Sequence, residues 1–537
     1  MKGLKAAALL APAAVAAVPS PWMQEVQEIL NAVAPNSLLA RLGLWNADRL
    51  YDLAGDASQT VEHVLTAGVR EFKTWKEHGR EFMQRGNNLS RVAPAVAALE
   101  EYQLRVTLTE QGELASPKIC DSVKQRSGYL DISDSKHLFF WFFEARNDPE
   151  NAPLLIWLNG GPGCSSSTGL LMELGPCQVA EHGDPVKNPF SWNTNMNMIF
   201  IDQPVDVGFS YRTGGSGVNN SPAAAEDIWA FVQLFISRFP EYEDREIHLA
   251  AESYGGHYAP NIAAAIHKHN EELRLAKAPT PLKRINLASV ILANGLTEPR
   301  TQMGSVPDYA CKGPFPVFDP QSRECSNLYS KAATCQRLIQ SCYNGGSRFS
   351  CLYGDFQNLG LNPYDVRRKC DRNGEDGQLC YKIMDHIDEF LNREDVKKEL
   401  GAEGDIKFQS CNMEVNQAFM FQGDGMHNSA ALLPTLLDAG IRLMVYAGNA
   451  DFMCNFMGNE RWLDTLEGHQ YADKFRVAKS KPWHTLDSGK LVGRTRSVAG
   501  NITYVEVFDA GHMVPYDQPE AALDMIERWV FQLPLDD

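Results

Sequence analysis

Three residues whose types together perform acyl transfer occur in one order along this chain: Ser253, Asp451 and His512. A serine hydroxyl is a weak nucleophile until a base takes its proton and a third group orients that base. Ser253 stands in Ala-Glu-Ser-Tyr-Gly-Gly (251–256), directly after the strand-like run 246–250. A strand-to-helix turn at that point exposes the hydroxyl and places the next amide, Tyr254 N–H, for an oxyanion hole. Asp451 follows the apolar run 442–446, and His512 follows 502–508. Each taken singly reads as a loop residue; all three at strand ends in this order read as a triad. A second oxyanion donor is expected from a glycine-rich loop after an earlier strand. Leu-Asn-Gly-Gly-Pro-Gly-Cys-Ser-Ser (158–166) supplies one after the apolar run 154–158. A phosphate-binding loop is the competing reading, but the Lys-Ser or Lys-Thr ending is missing and Pro162 removes a donor.

These residues need a sheet to position them. Short apolar runs at 154–158, 198–202, 247–250, 288–293, 442–446 and 502–508 read as strands, after aromatic-rich strands at 129–132 and 138–144. Helical segments lie between them: 221–238, opened by Ser221 as N-cap and Pro222 in the first turn, one from about 258, and a last one over 519–533. Strand–helix alternation predicts an α/β fold with a mostly parallel central sheet. Between 296 and 421 cysteines, charges and turn residues break the pattern, which predicts a Cys-rich insertion domain between core segments 116–295 and 422–537.

The N-terminal part is of another kind. Lys2 and Lys5 precede a small apolar run that ends at Pro19-Ser20-Pro21, so residues 1–17 read as a signal peptide. That run is too short to span a membrane, and no later segment is apolar enough. Residues 18–115 are rich in Ala, Glu, Leu and Arg, hold no cysteine, and show helical periodicity at 37–53 and 61–82. They read as a helical propeptide, the alternative being a helical domain that stays attached. The 537-residue chain carries a formal charge of −17, from 50 basic and 67 acidic residues, which argues against a nucleic-acid partner. Twelve cysteines behind a signal peptide predict disulfides. No Cys-x-x-Cys occurs, so a zinc site is disfavoured and no metal or cofactor is expected. Asn88, Asn219 and Asn501 head glycosylation sequons.

With those residues in view, the chain resembles the serine carboxypeptidases of the α/β-hydrolase fold, and its fungal vacuolar members above all. The likeness runs from about 128 to 535. It is carried by WLNGGPGCSS (157–166), ELGP (173–176), DQPVDVGFSY (202–211), ESYGGHY (252–258), NPYD (362–365), YAGNADFMCN (446–455) and GHMVP (511–515). The resemblance implies Ser253, Asp451 and His512 as triad, and the N–H groups of Gly161 and Tyr254 as oxyanion hole. It implies Trp157, Asn159, Gly160, Glu173 and Glu252 as readers of a substrate's terminal carboxylate. Thr168, Met172, Tyr364, Tyr381 and Met513 would line the leaving-group pocket, with Cys454 a free thiol beside it. It further implies the disulfides Cys164–Cys411, Cys311–Cys325, Cys342–Cys351 and Cys370–Cys380. Two acids facing a carboxylate make physical sense only if one is protonated, which points to activity in acid.

The chain departs from the family pattern in places. Ala251 replaces a usual glycine, which predicts strain at the turn, and Asp206 replaces a usual asparagine. The usual partner of Cys335 is missing, leaving it unpaired or paired elsewhere. Cys120 and Cys177 are additional and could pair with each other. The reading implied is a zymogen of a serine carboxypeptidase that forms an acyl-enzyme and acts on peptides and proteins. It would be a monomer activated by a processing protease, without a membrane anchor, and vacuolar or else extracellular. The rivals are another α/β-hydrolase activity, such as an esterase or acyltransferase, and an inactive binding homologue.

Overall fold

Short runs that are apolar at nearly every position suit strands covered on both faces. Two of them, LLIWL and NMIFI, lie near the middle of the sheet in the computed structural model. The structure describes residues 103–106 and 117–536, apart from 134, 181–184, 277–279, 346–359, 373 and 378. The expected signal peptide and almost all of the expected propeptide therefore lie outside the described residues, as do Asn88 and Cys351.

The main strands are β1 (Gln103–Val106), β2 (Gln125–Ser133), β3 (Lys136–Phe143), β4 (Leu154–Leu158), β5 (Asn197–Ile201), β6 (Ile247–Glu252), β7 (Leu287–Ala293), β8 (Arg442–Gly448), β9 (Lys481–His484), β10 (Leu491–Val498) and β11 (Ile502–Val507). They form one sheet in the order β1-β2-β3-β5-β4-β6-β7-β8-β11-β10-β9, and Tyr211–Arg212 adds to β3. The centre from β5 to β11 is parallel. Both flanks are antiparallel. Side chains alternate across the sheet. In β4, Leu154, Ile156 and Leu158 enter the core that holds helices α1 (Ser221–Arg238) and α2 (Gly255–Leu275). Leu155 and Trp157 enter the opposite core, which holds the helix Pro519–Val530.

Several expectations shift in detail. α1 is capped by Asn220, whose side chain accepts from Ala223 N at 2.9 Å, not by Ser221. α2 begins at Gly255, so that it starts two residues after the serine turn. Within 296–421 the structure has well-formed helices, among them Pro299–Lys312, Arg323–Tyr343 and Met413–Gln422, where the sequence showed little periodicity. Residues 103–106, expected inside a helical segment, form an edge strand instead.

Disulfides join Cys164–Cys411, Cys311–Cys325 and Cys370–Cys380 as the resemblance implies, and Cys120 pairs with Cys177. Cys335 is also disulfide-bonded. The pairing expected for Cys342 involves Cys351 and so lies outside the described residues.

Candidate active site

Every element of the site sits at the carboxyl ends of the parallel strands, where a doubly wound sheet opens its crevice. Ser253 follows β6 with φ 61, a left-handed backbone that bulky L-residues avoid and that tight nucleophile turns impose. The turn is pinned by Ser253 N donating to Ala293 O (2.9 Å) and by Leu296 N donating to Ser253 O (2.9 Å). The strain lies there and not at Ala251, a regular β6 residue paired with Leu158 and Leu292. Ala251 is accommodated because Gly255 stands opposite: a Cβ on Gly255 would come within 2.6 Å of the Ala251 methyl. The chain crosses itself just as closely at Gly160, where a Cβ would lie 2.3 Å from Tyr254 N. The two loops expected to supply the oxyanion donors, with Gly161 and Tyr254, are thus in direct contact.

Asp451 follows β8 and is fully buried. It collects His512 Nδ1 on Oδ2 at 2.7 Å, Asn294 Nδ2 on Oδ2 at 2.8 Å, Met453 N on Oδ1 at 2.9 Å and Cys454 N on Oδ2 at 3.3 Å. His512 is buried, and its Nε2 has no hydrogen-bond partner among the described residues. An imidazole held through Nδ1, with Nε2 open, is oriented to take a proton at Nε2. Segment 362–366 ties the two loops together. Pro363 O accepts from Phe452 N and Met453 N (both 3.2 Å), Tyr364 O accepts from His512 N (2.7 Å), and Val366 N donates to Ala450 O (3.1 Å).

The second acidic centre adjoins Ser253 through Glu252. Trp157 Nε1 and Gly169 N both donate to Asn159 Oδ1, at 2.8 and 3.0 Å. That turns the Asn159 amide towards Glu252 Oε1 (3.2 Å) and Glu173 Oε1 (3.5 Å). The other oxygens of the two acids, both Oε2 atoms, are buried with no donor among the described residues, and the two carboxyls lie within hydrogen-bonding reach of each other. Burial pushes Glu173 up to about 7. Burial and then the charge of Glu173 push Glu252 well above the usual carboxylate range. Glu173 is presented by a wide helical turn over Gly169–Leu174, which the sequence reading did not resolve, and Gly160 is buried beside this group.

Among the expected pocket residues, the Tyr364 ring lies 5.2 Å from that of His512 and 6.2 Å from that of Tyr381. Met172, Tyr381 and Met513 belong to the same apolar core. Thr168 is buried just before Gly169, its hydroxyl without a partner among the described residues. Cys454 is a buried free cysteine. Its thiol is pushed well up, first by burial and then by the charges of Asp451 and Glu252. Ligand atoms of Asp451, Cys454 and His512 lie within 4.8 Å of one another. A metal would need the thiolate, which this environment opposes, and Asp451 already has four donors. Asn219 and Asn501 are half-buried at loops.

Three polar groups of the site escaped the sequence reading. Asn294 holds Asp451, and its only signal was an Asn-Gly pair at the end of β7. Asp424 accepts Tyr254 Oη–H (2.7 Å) and Ser221 Oγ–H (2.6 Å), fixing the side chain beside the turn. Asp202 accepts from Ser165 Oγ (2.5 Å) and Phe209 N (2.9 Å), anchoring the glycine-rich loop. Asp206 has φ 73, a conformation that Asp and Asn both tolerate, so its exchange for the family's asparagine costs little.

The fold and the serine turn define an α/β hydrolase. Residues 117–532 match the family model for serine carboxypeptidases, and the chain belongs to that family. It is 44% identical over 448 residues to carboxypeptidase Y homolog A of Ajellomyces capsulatus, covering 80% of this chain and 77% of that one. Carboxypeptidase Y of Komagataella phaffii is 43% identical over 444 residues, 80% of each. Carboxypeptidase Y homolog A of Talaromyces marneffei is 38% identical over 99% of both chains. Among solved structures, the prohormone-processing carboxypeptidase Kex1(delta)p of Saccharomyces cerevisiae aligns with a TM-score of 0.66 and 27% identity, over 78% of this chain and 94% of that one. The protein is a serine-type carboxypeptidase. No helix among the described residues is long and apolar enough to cross a membrane.

Proposed function

We propose that the enzyme removes C-terminal residues through an acyl-enzyme, works best in acid, and is made as a zymogen for the vacuole. Ser253 Oγ attacks the last peptide carbonyl while His512 Nε2 takes its proton. The N–H groups of Gly161 and Tyr254 hold the oxyanion. The C–N bond breaks as His512 returns the proton to the leaving amine, freeing the terminal amino acid into the pocket of Thr168, Met172, Tyr364, Tyr381, Cys454 and Met513. Water then attacks the ester, giving its proton to His512 and thence to Ser253. The region before about 115 would be the propeptide and a processing protease its partner. The kinship with carboxypeptidase Y supports the vacuolar address.

The observation that carries this reading is the buried Asn159–Glu173–Glu252 group one residue from the nucleophile. With both acids pushed upward by burial, a shared proton can donate to the substrate's carboxylate in acid; Trp157 and Gly160 complete that cradle. As pH rises through about 7 the proton leaves and repulsion replaces the hydrogen bond. The Michaelis constant for free-acid peptides should climb about tenfold or more from pH 5 to 8, a loss of about 1.4 kcal/mol. Matched C-terminal amides should not show the climb, and Glu252→Gln should flatten it. Identical profiles for acid and amide substrates on the wild type would remove the two glutamates from this role.

A further inference from the structure

β1 lies inside the segment assigned above to the propeptide, yet it is the outermost strand of the catalytic sheet. It pairs antiparallel with β2, from Gln103 opposite Asp131 to Val106 opposite Gly128. Arg105 docks the strand through its side chain. Arg105 places Nε and Nη2 on the two oxygens of Asp131 at 2.8 and 3.0 Å, a fork-on-fork pair. Its Nη1 donates to Glu403 Oε1 at 2.8 Å, and Nη2 also reaches the Tyr211 hydroxyl at 2.8 Å. The guanidinium lies over the ring of Tyr129, 4.8 Å from its centroid, and 5.9 Å from that of Tyr211. Two acids and two aromatic faces around one planar cation describe an arginine pocket, not a generic sheet edge.

The pocket is built without β1. Tyr129 Oη accepts from Glu403 N (3.0 Å), Tyr211 Oη donates to Glu403 Oε1 (3.3 Å), and His137 Nδ1 meets Asp131 Oδ1 at 2.5 Å. The Tyr129 and Tyr211 rings meet edge to face at 5.3 Å. Beyond the segment 107–116 the chain is anchored again, by Lys118 N on Glu399 Oε1 (2.6 Å). A cut between Val106 and Pro117 would remove the covalent link from β1 to the catalytic sheet and leave the strand held non-covalently.

We propose that the edge of β2, with Asp131, Glu403, Tyr129 and Tyr211, is a strand-addition site for an extended arginine-bearing peptide. The chain's own Gln103–Val106 fills it before cleavage and becomes exchangeable afterwards. The ligand adds main-chain hydrogen bonds as a new edge strand, and the arginine supplies selectivity. In the natural enzyme this exchange rests on the maturation reading above.

The test uses the full chain carrying Ser253→Ala, so that the probe is not digested, and an inserted protease site between Val106 and Pro117. A peptide of sequence EYQLRVT (101–107), labelled at its N-terminus, is titrated into the chain before and after cutting, with fluorescence anisotropy as readout. Saturable binding is expected only after cutting. Replacing the peptide's arginine by alanine should weaken it at least about tenfold, the scale of a charge-assisted hydrogen-bonded pair. Lysine, a point charge without the fork, should fall between. Asp131→Asn in the enzyme should weaken the arginine peptide and leave the alanine peptide unchanged. Absent binding to the cut chain, equal binding to cut and uncut chains, or equal affinity of the arginine and alanine peptides would each overturn the site. Because the cut is introduced, the result stands apart from natural maturation. N-terminal sequencing of active enzyme tests that reading separately, and a chain uncut in this interval would refute it.

Discussion

The two acidic centres flanking Ser253 are both fully buried, and they are built in opposite ways. Asp451 is met by four N–H groups, from His512, Asn294, Met453 and Cys454. Glu173 and Glu252 share a single amide, that of Asn159, and each leaves one oxygen without a donor among the described residues. Donors convert a buried carboxyl into a fixed anion; their scarcity makes protonation the cheaper state. The same residue chemistry thus serves as an orienting charge on one side of the serine and as a proton store on the other.

The harshest way to break this contrast is to spoil the donor-rich centre. Asp451→Asn keeps the shape but presents an amide to His512 Nδ1, favouring the wrong imidazole tautomer. Turnover should fall about 10⁴-fold, the loss for the matching change in an unrelated serine protease, with little change in the Michaelis constant. A folded variant losing less than about tenfold would show that Asp451 does not orient the base.

A gentler probe reads the contrast as stability. Glu173 holds its proton to about pH 7 when folded but releases it near 4.5 when unfolded, so the folded chain binds more protons between those values. Its contribution is full below about 4.5 and is lost as pH rises to about 7. Asp202, pushed up by burial to about 6, acts in the same sense from 3.8 upward. His248 and His257 work in reverse. Burial pushes them down to about 3 and about 4, so their support is full above 6.5 and is lost as pH falls. The Tm should therefore peak in mildly acid solution and decline on both sides. Glu173→Gln should make the slope of Tm against pH more positive between about pH 5 and 7, and so soften the decline above about 6.5, without altering the acid side. An unchanged slope on the alkaline side would mean that Glu173 ionises alike in folded and unfolded chains.

What the sequence revealed of this arrangement depended on whether a residue's partner lies in the same motif. Ser253, Asp451 and His512 each follow a strand readable from its own apolar run, so their order and positions were legible. Glu173 and Glu252 were legible as acids, but their shared amide came through the family likeness. Asn294 and Asp424 were not legible, because each bonds a group more than 150 residues away and carries no local pattern. β1 was hidden for the same reason. QLRV is too short to outweigh a neighbourhood whose sequence reads as helical, and the cross-strand register with β2 and the arginine pocket make it a strand. The helices between 299 and 343 are hard to read from sequence because their buried positions include cysteines, which signal disulfides more strongly than an apolar face.

Cys454 lies between the two centres in character, and its replacement should have the smallest effect. Its backbone N–H belongs to the Asp451 donor set, but its thiol is a bystander, pushed well up by burial and by the charges of Asp451 and Glu252. Cys454→Ser keeps the backbone donor and exchanges a weakly polar thiol for a slightly smaller hydroxyl. Activity should stay within about threefold of wild type, since no bond to a reacting group is lost. The thiol's chemistry is the sharper readout. Thiolate is the nucleophile, so alkylation of the wild type should be slow at neutral pH and accelerate well above the pH at which a free thiol reacts. A bulky mercurial should inactivate the wild type by occupying the pocket, and should leave Cys454→Ser active. Rapid alkylation at pH 7 would show that the charges around Cys454 do not oppose its ionisation. A loss of a hundredfold or more in Cys454→Ser would place the sulfur itself among the groups that Asp451 and His512 need.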